Sequence, residues 1–437
     1  MRDADAIHDA PHFHAGVAAT TYREWLGALA PGAAISVYLH VPFCARMCWY
    51  CGCHTKVVGR YDLIAEYAGT LAREVDLAAK ALAGGAEITH LHWGGGSPTT
   101  LSDSDFTMVM DRLRARFAIA EGAELAIEID PRTMTAEKAR AIAANGINRV
   151  SFGVQDFNAK VQEAINRVQT FDETRHVIDM LRAAGIDAVN LDLMYGLPHQ
   201  GLDDAVATVD KAVELGPDRL SVFGYAHVPW MKVHQRMIDE AALPDTQARW
   251  NQAEAISRRL AEHGYVQVGL DHFARAHDAM AERLAAGTLK RNFQGYTTDD
   301  AAALIGLGAS AIGALPEGYV QNAPSVRTWR RAVDDGCFAT ERGIRLAPGD
   351  ELRRDIIERL MCDLAVDLAP FETRPGAPDD AFAAERARLA IMADDGLITL
   401  DGTHVRVTEA GRPLVRAVAA VFDTYLATGR GRHSAAV

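Results

Sequence analysis

The sequence contains no run of about 18 or more apolar residues, so nothing in it predicts a membrane span. Its opening residues, MRDADAIHDAPHFHAG, lack the basic patch and apolar core of a signal peptide, and the expectation is a cytoplasmic protein. There is no excess of positive charge. A formal net charge of −13 argues against a nucleic-acid binder working by broad phosphate neutralisation, and leaves room for a local basic pocket. Cysteines are few and not scattered: Cys44, Cys48, Cys51 and Cys53 fall together, while Cys337 and Cys362 stand alone. That distribution argues against a disulfide framework and for metal or redox chemistry. No low-complexity linker interrupts the chain. Its 437 residues suffice for one large domain and a smaller one, and 49% apolar against 24% charged residues is an ordinary globular balance.

From residue 36, short β-rich runs alternate with helical stretches. The runs are 36–41 (SVYLHV), 88–95, 124–130, 149–155, 188–195 and 219–226. Each is mostly apolar, as expected of strands covered on both faces of a parallel sheet. Between the first two, Leu63, Tyr67, Leu71, Val75, Ala78 and Leu82 recur at helical spacing, and Gly84-Gly85 ends the run. Gly146, Gly185 and Gly216 stop later helices just ahead of a strand. Six βα units imply an α/β fold, a partial (β/α)6 barrel, with an open doubly wound sheet as the other arrangement this pattern allows. The expected division is an N-terminal segment over 1–35, partly disordered, the barrel over 36–230, and a barrel extension with substrate-side elements over 231–345. The last part, over 346–437, is mainly helical and resembles a winged helix. In the extension, a helix is expected over 244–263, a strand over 265–273 and loops over 292–298. In the last part, two helices precede a hairpin of 397–400 and 405–407 turning at Asp401-Gly402, and a final helix carries Leu414, Val418, Val421 and Tyr425. The negative charge favours packing or a lid over DNA binding for that module.

The cysteine loop has the spacing C-x3-C-x2-C-x-C and follows directly on the strand SVYLHV. Three thiolates this close can wrap one corner of a cubane cluster; ferredoxin-type clusters need a fourth cysteine and use other spacings. With Cys44, Cys48 and Cys51 on three irons, the fourth iron stays open, and an open metal position marks a reacting site. A structural zinc knot or a set of buried thiols are the alternatives, and no second C-x2–4-C arm or His-x3–5-His follows to support zinc. The cysteine loop, Gly94-Gly95-Gly96, Glu128, Gln155, Asp192 and Ala226 all lie at C-terminal strand ends, the catalytic rim of parallel barrels. The glycines allow close backbone approach to a ligand. Glu128 can accept hydrogen bonds from the ammonium or hydroxyl groups of a ligand.

Cys-x3-Cys-x2-Cys with an aromatic residue, Tyr50, before the third cysteine resembles the signature of the radical S-adenosylmethionine (SAM) superfamily. Tyr38-Leu-His40-Val-Pro-Phe-Cys44, His92-Trp-Gly-Gly-Gly-Ser-Pro-Thr99, Gly153-Val-Gln-Asp156 and Asp192-Leu-Met-Tyr-Gly-Leu-Pro198 narrow the resemblance. So do Asp271-His-Phe-Ala-Arg275, Asn292-Phe-Gln-Gly-Tyr-Thr-Thr298 and the extra Cys53. Together these motifs are similar to the oxygen-independent coproporphyrinogen III oxidases of haem biosynthesis, over most of the chain from Ser36 onward.

The resemblance implies a radical-SAM barrel, a [4Fe–4S] cluster on Cys44, Cys48 and Cys51, and two molecules of SAM. It implies cofactor contacts from Tyr38, Tyr50, Gly95, Gly96, Ser97, Glu128, Gln155, Arg167, Asp192, Ala226 and Ile312. It also implies oxidative decarboxylation of two propionates of coproporphyrinogen III to vinyl groups through 5′-deoxyadenosyl radicals, giving protoporphyrinogen IX. The expected partners are the porphyrinogen and an electron-donor protein such as a flavodoxin or ferredoxin, with no nucleic acid and no membrane, and the expected state is a monomer. His40 is set aside as a core histidine, and Cys53 as a family marker without a ligand role. Met1–Ala10 does not match the Pro-Arg-Tyr-Thr-Ser-Tyr-Pro-like segment usual in the family. A related enzyme on another tetrapyrrole and a haem-binding trafficking protein of the same superfamily are therefore the rival readings.

Overall fold

The computed structural model describes residues 13–377 and 382–426. Residues 1–12, on which part of the expected disorder falls, lie outside them. The chain forms two compact units: His14–His263 with Asp299–Ile344, and Gly264–Thr298 with Phe13 and the residues from Arg345 onward. The stretch read as one extension over 231–345 is thus shared between them.

In the first unit six parallel strands follow one another in order: β1 (Ala33–Val41), β2 (Ala86–Gly95), β3 (Ala118–Ile129), β4 (Arg149–Gln155), β5 (Ala188–Tyr195) and β6 (Arg219–Gly224). A seventh, β7 (Ala303–Leu307), lies parallel on the outer side of β1 with Val37 opposite Ile305. Antiparallel strands Ile312–Leu315 and Gly318–Asn322 continue the sheet beyond it. Residues 303–307 lack the βα pattern around them, so the sequence predicts only six.

The strands are covered on both faces, but the two faces differ in chemistry. On β1, Ile35, Val37, Leu39 and Val41 are buried on one side and Ser36, Tyr38 and His40 on the other. The polar residues meet their counterparts across the sheet. Tyr38 stacks on His92, His92 lies 3.2 Å from Glu128, and Asn190 donates to both Ser151 and Asp192. One face is thus an apolar seat for helices and the other a polar interior that ends at the rim.

The helix Tyr61–Ala81 buries Ile64, Tyr67, Leu71, Val75 and Ala78. Leu63, counted in its apolar stripe from the sequence, is exposed, because Ile64 takes the inward position at that turn. The glycines expected to stop helices, Gly146, Gly185 and Gly216, all have positive φ, a conformation other residues adopt at a cost.

In the second unit, the single strand expected over 265–273 is a hairpin of Tyr265–Val268 and His272–Arg275. The chain reverses at Gly269, whose φ of +57° and closeness to the Tyr296 ring (a Cβ would lie 2.0 Å from it) admit only glycine. The expected loop over 292–298 is a second hairpin, Lys290–Asn292 with Gly295–Thr297. Helices Asp350–Asp363 and Ala383–Asp394 accompany a wing of three strands, since Ala365–Asp367 joins the foreseen pair Ile398–Asp401 and His404–Val407. The final helix is short, Val415–Ala419 between 3-10 turns, and does not reach Tyr425. The Asp423 side chain takes the Tyr425 N–H at 2.8 Å and turns the chain out of the helix.

Candidate active site

The cysteine loop leaves β1 at Pro42, and its backbone is held from outside. Trp49 N–H donates to the Ile165 carbonyl at 3.0 Å, and Asn166 Nδ2 to the Met47 carbonyl at 2.8 Å. Gln235 Nε2 reaches the Tyr50 carbonyl at 2.9 Å, His234 Nε2 the Cys51 carbonyl at 2.7 Å and Lys232 Nζ the Cys53 carbonyl at 3.1 Å. Four loop carbonyls thus find side-chain donors from two distant segments, which fixes the loop without any regular structure of its own. None of these anchors was singled out from the sequence; each is a lone polar residue whose partner is far along the chain.

All four thiols are free. Cys48 is buried, Cys44 and Cys51 are half-buried and Cys53 is exposed. Their surroundings differ. Cys44 Sγ lies 3.0 Å from the Thr55 hydroxyl, and burial pushes its thiol up to about 11 despite that contact. Cys51 accepts the Cys53 N–H at 3.4 Å, and the hydrogen bond from the Cys53 thiol, opposed by burial, brings it down to about 6. Cys48 faces two guanidinium groups, Arg132 Nη2 and Arg167 Nη1, each 3.6 Å from its sulfur. Arg132, also missed in the sequence, follows Asp130-Pro131 at the end of β3, where the strand-end rule extends to it.

Three thiols on one loop suit a cluster better than a single ion. Among the described residues no three His, Cys, Asp or Glu side chains converge on one metal position. A cubane does not require that, because its three thiolates bind three different irons.

The glycines at the end of β2 are dictated by their neighbours. A Cβ on Gly94 would meet Glu128 Oε1 at 2.9 Å, one on Gly95 the His40 ring at 2.6 Å, and one on Gly96 the Phe43 carbonyl at 2.5 Å. Gly95 N–H donates to Glu128 Oε2 at 3.2 Å, and Ser97 N–H to the Phe43 carbonyl at 2.7 Å, tying β2 to the cysteine loop. His40 is buried between the two. Its Nε2 contacts the His54 carbonyl and its Nδ1 the Tyr38 hydroxyl, both at 3.0 Å. Burial lowers its pKa to about 4, so the ring is neutral: Nε2–H donates to the carbonyl and Nδ1 accepts from Tyr38.

Gln155 carries a positive φ of 66°, sits at a bulge between β4 and β5, and has a buried Oε1 with no hydrogen-bond partner. A positive backbone φ and a buried, idle acceptor at a strand end make Gln155 a candidate ligand contact. Arg167 is buried and donates to the Gly153 carbonyl at 2.6 Å. Burial works against its charge, but Tyr50, Cys48 and Asp130 hold its pKa above the usual value. Asp192 Oδ1 accepts from Asn190 at 2.9 Å.

A cavity of about 390 Å³ at the rim is lined by Cys44, Cys48, Tyr50, Cys51, Gly95, Gly96, Ser97, Glu128, Gln155, Arg167, Asp192 and Ala226. Its size falls in the range of small-molecule sites, ~300–1,000 Å³. Tyr38 and Ile312 are not among its lining residues. Tyr38 supports His40 and His92 from behind, and Ile312 opens the strand Ile312–Leu315 opposite Gln321.

Residues 38–212 match the model of the radical SAM superfamily, and residues 346–414 match that of the HemN C-terminal domain. The oxygen-independent coproporphyrinogen III oxidase of Bradyrhizobium diazoefficiens is 50% identical over 428 residues, spanning 98% of this chain and 95% of its own. The Escherichia coli protein of the same name is 39% identical over 397 residues, 91% of this chain and 87% of its own. The solved structure of coproporphyrinogen III oxidase (HemN) from Escherichia coli, described as a radical SAM enzyme, superposes with a TM-score of 0.91 at 37% identity, covering 95% of this chain and 96% of that one.

Proposed function

The chain belongs to the oxygen-independent coproporphyrinogen III oxidases of the radical SAM superfamily, and from that membership we propose which of its residues serve each part of the reaction. The enzyme is an oxidoreductase of haem biosynthesis that converts two propionates of coproporphyrinogen III to vinyl groups, giving protoporphyrinogen IX. Each event takes one hydrogen atom from a propionate β-carbon, releases the carboxylate as CO2 and gives up one electron. When bound, a [4Fe–4S] cluster supplies the electron that cleaves SAM reductively, and SAM supplies the hydrogen-abstracting radical.

The single observation that carries the residue assignments is the cavity in which three free thiols meet the strand-end glycines, carboxylates and Gln155. Cys44, Cys48 and Cys51 hold the cluster and leave one iron for SAM. Gly95, Gly96 and Ser97, whose N–H groups are taken by Glu128, Val41 and Phe43, offer backbone carbonyls to the cofactor, and Glu128 offers a carboxylate to its ammonium. Tyr50 and Ala226 line the same space; Tyr38 and Ile312 act from outside it. His40, being neutral, adds no positive charge beside a sulfonium. Gln155, Arg167 and Asp192, on β4, β5 and the segment between them, form a second polar group and support a second SAM.

The finer points rest on chemistry. Four unpaired cysteines in one loop favour a reducing cytoplasm. A cluster that must be reduced one electron at a time calls for a donor such as a flavodoxin or ferredoxin. Among the described residues no helix is long and apolar enough to cross a membrane.

The test is an anaerobic assay of the cluster-loaded enzyme with coproporphyrinogen III, SAM and dithionite. Protoporphyrinogen and CO2 are the expected products. Haem binding without SAM cleavage would sink the reading.

A further inference from the structure

We infer that Arg132, together with Arg167, hydrogen-bonds the cluster-bound Cys48 sulfur and thereby raises the reduction potential of the cluster. The inference rests on the assignment of Cys44, Cys48 and Cys51 as iron ligands. Arg132 Nη2 and Arg167 Nη1 lie at the same distance, 3.6 Å, from one Sγ. The other two thiols have weaker partners, the Thr55 hydroxyl for Cys44 and the Cys53 N–H and thiol for Cys51. The guanidinium hydrogen bonds are therefore concentrated on one of the three corners, while Lys232 and His234 act on Cys51 only through their charge.

Both guanidinium groups are aimed by other contacts. Asp130 grips Arg132 through two bonds, Nε to Oδ1 at 2.9 Å and Nη2 to Oδ2 at 2.7 Å. The Gly153 carbonyl takes Arg167 Nη2 at 2.6 Å. Asp130 offsets much of the Arg132 charge but leaves its N–H pointing at sulfur. Arg167 is buried and the Arg132 side chain is only 13% exposed, so water screens this field little. Here Arg132 Nη1 and Arg167 Nε are buried with no hydrogen-bond partner, and both residues line the cavity, so donor capacity is left for what the cavity holds.

The consequence follows from charge. Reduction adds one electron to the oxidised cluster from a low-potential donor, and no bond is made or broken. N–H donors on a ligand sulfur withdraw electron density and stabilise the more negative, reduced form, so each one raises the potential. Arg132 is thus a positioning and electrostatic residue, acting through Cys48.

The experiment is a potentiometric titration of the cluster-loaded, full-length protein with dithionite, followed by electron paramagnetic resonance, with iron and sulfide counted in every sample. Arg132→Gln is expected to keep its cluster and to show at least a tenfold lower ratio of reduced to oxidised cluster at a fixed potential. For one electron that is a midpoint about 59 mV more negative. Arg132→Lys, which keeps the charge but loses the fork, is expected between wild type and the glutamine variant. Arg140→Gln, an exposed guanidinium paired with Glu137, is the control and leaves the midpoint in place. Wild-type midpoints in both Arg132 variants would overturn the inference. If the glutamine variant cannot hold a cluster, the lysine variant decides: a lowered midpoint supports the inference and an unshifted one overturns it. A wild-type protein that takes up no cluster would instead refute the ligand assignment, a result distinct from an unshifted midpoint.

Discussion

The His40 ring occupies the space that any side chain at Gly95 would need, with only 2.6 Å between His40 Cε1 and the place of a Cβ. Gly95 is therefore required by the protein's own packing as well as by its place at the cavity. Gly95→Ala must displace a buried ring that holds Tyr38 and the His54 carbonyl, and must adopt a φ of +109°. The expected cost is about 1–3 kcal/mol. Calorimetry of the purified variant should show a lowered thermal midpoint together with reduced cluster retention; an unchanged midpoint would refute this.

The four loop cysteines should separate cleanly into three and one. Alanine at Cys44, Cys48 or Cys51 is expected to abolish the visible absorbance of the cluster in anaerobically reconstituted protein. Cys53→Ala should retain it, because the contact of residue 53 with Cys51 Sγ includes a backbone N–H that the substitution keeps. An intact spectrum in any of the first three contradicts the ligand set.

Gln235 should prove as important to the loop as residues within it. Its amide holds the carbonyls of Tyr50 and Ala226 and accepts the Val228 N–H, and it is 1% exposed. Gln235→Ala strands three backbone groups, a loss of about 2–4 kcal/mol. Denaturant unfolding should register it, and the reconstituted variant should lose iron to a chelator faster than wild type. Equal rates of iron loss would show that the anchor is dispensable.

Stability should carry a pH dependence from Glu74. This buried carboxyl accepts from Gly308 N–H, Trp329 Nε1 and Asn322 Nδ2, and burial outweighs those donors to push it up to about 7. The native state therefore holds the proton more tightly than the unfolded chain does. The resulting stability is fully present below the unfolded value of about 4.5 and is lost as pH rises through about 7, in total about 3 kcal/mol. Unfolding midpoints of wild type and Glu74→Gln, measured from pH 5 to 8, should differ by an amount that changes with pH in that direction. A constant difference would rule the titration out.

The parts of this molecule that could be read in the sequence are those with a local signature. Strand ends such as Gln155 and Tyr195 fall where the apolar runs stop, and the cysteine spacing needs only ten residues to be seen. Contacts between distant single residues leave no such trace. Nothing near Lys232, His234 or Gln235 marks them as supports for a loop that begins at Cys44. Likewise residues 303–307 give no local sign that they pair with β1, and 365–367 none that they complete the wing. The polar alternation of Ser36, Tyr38 and His40 was present in the sequence, but the apolar residues between them hid it in a run that looked uniformly buried.

The pairing of β1 with β7 has a consequence for how the chain folds. Ser36, on the first strand, is hydrogen-bonded to Asp299, 263 residues further on, just ahead of the strand that covers its outer side. During synthesis β1 acquires its inner neighbour early and waits for most of the chain to emerge before its outer edge is covered. An exposed parallel edge of that duration favours slow, high-contact-order folding and gives chaperones or stray strands time to engage it. Truncation before residue 303 should accordingly yield aggregation in place of a smaller working barrel, as sedimentation of the expressed fragment would reveal.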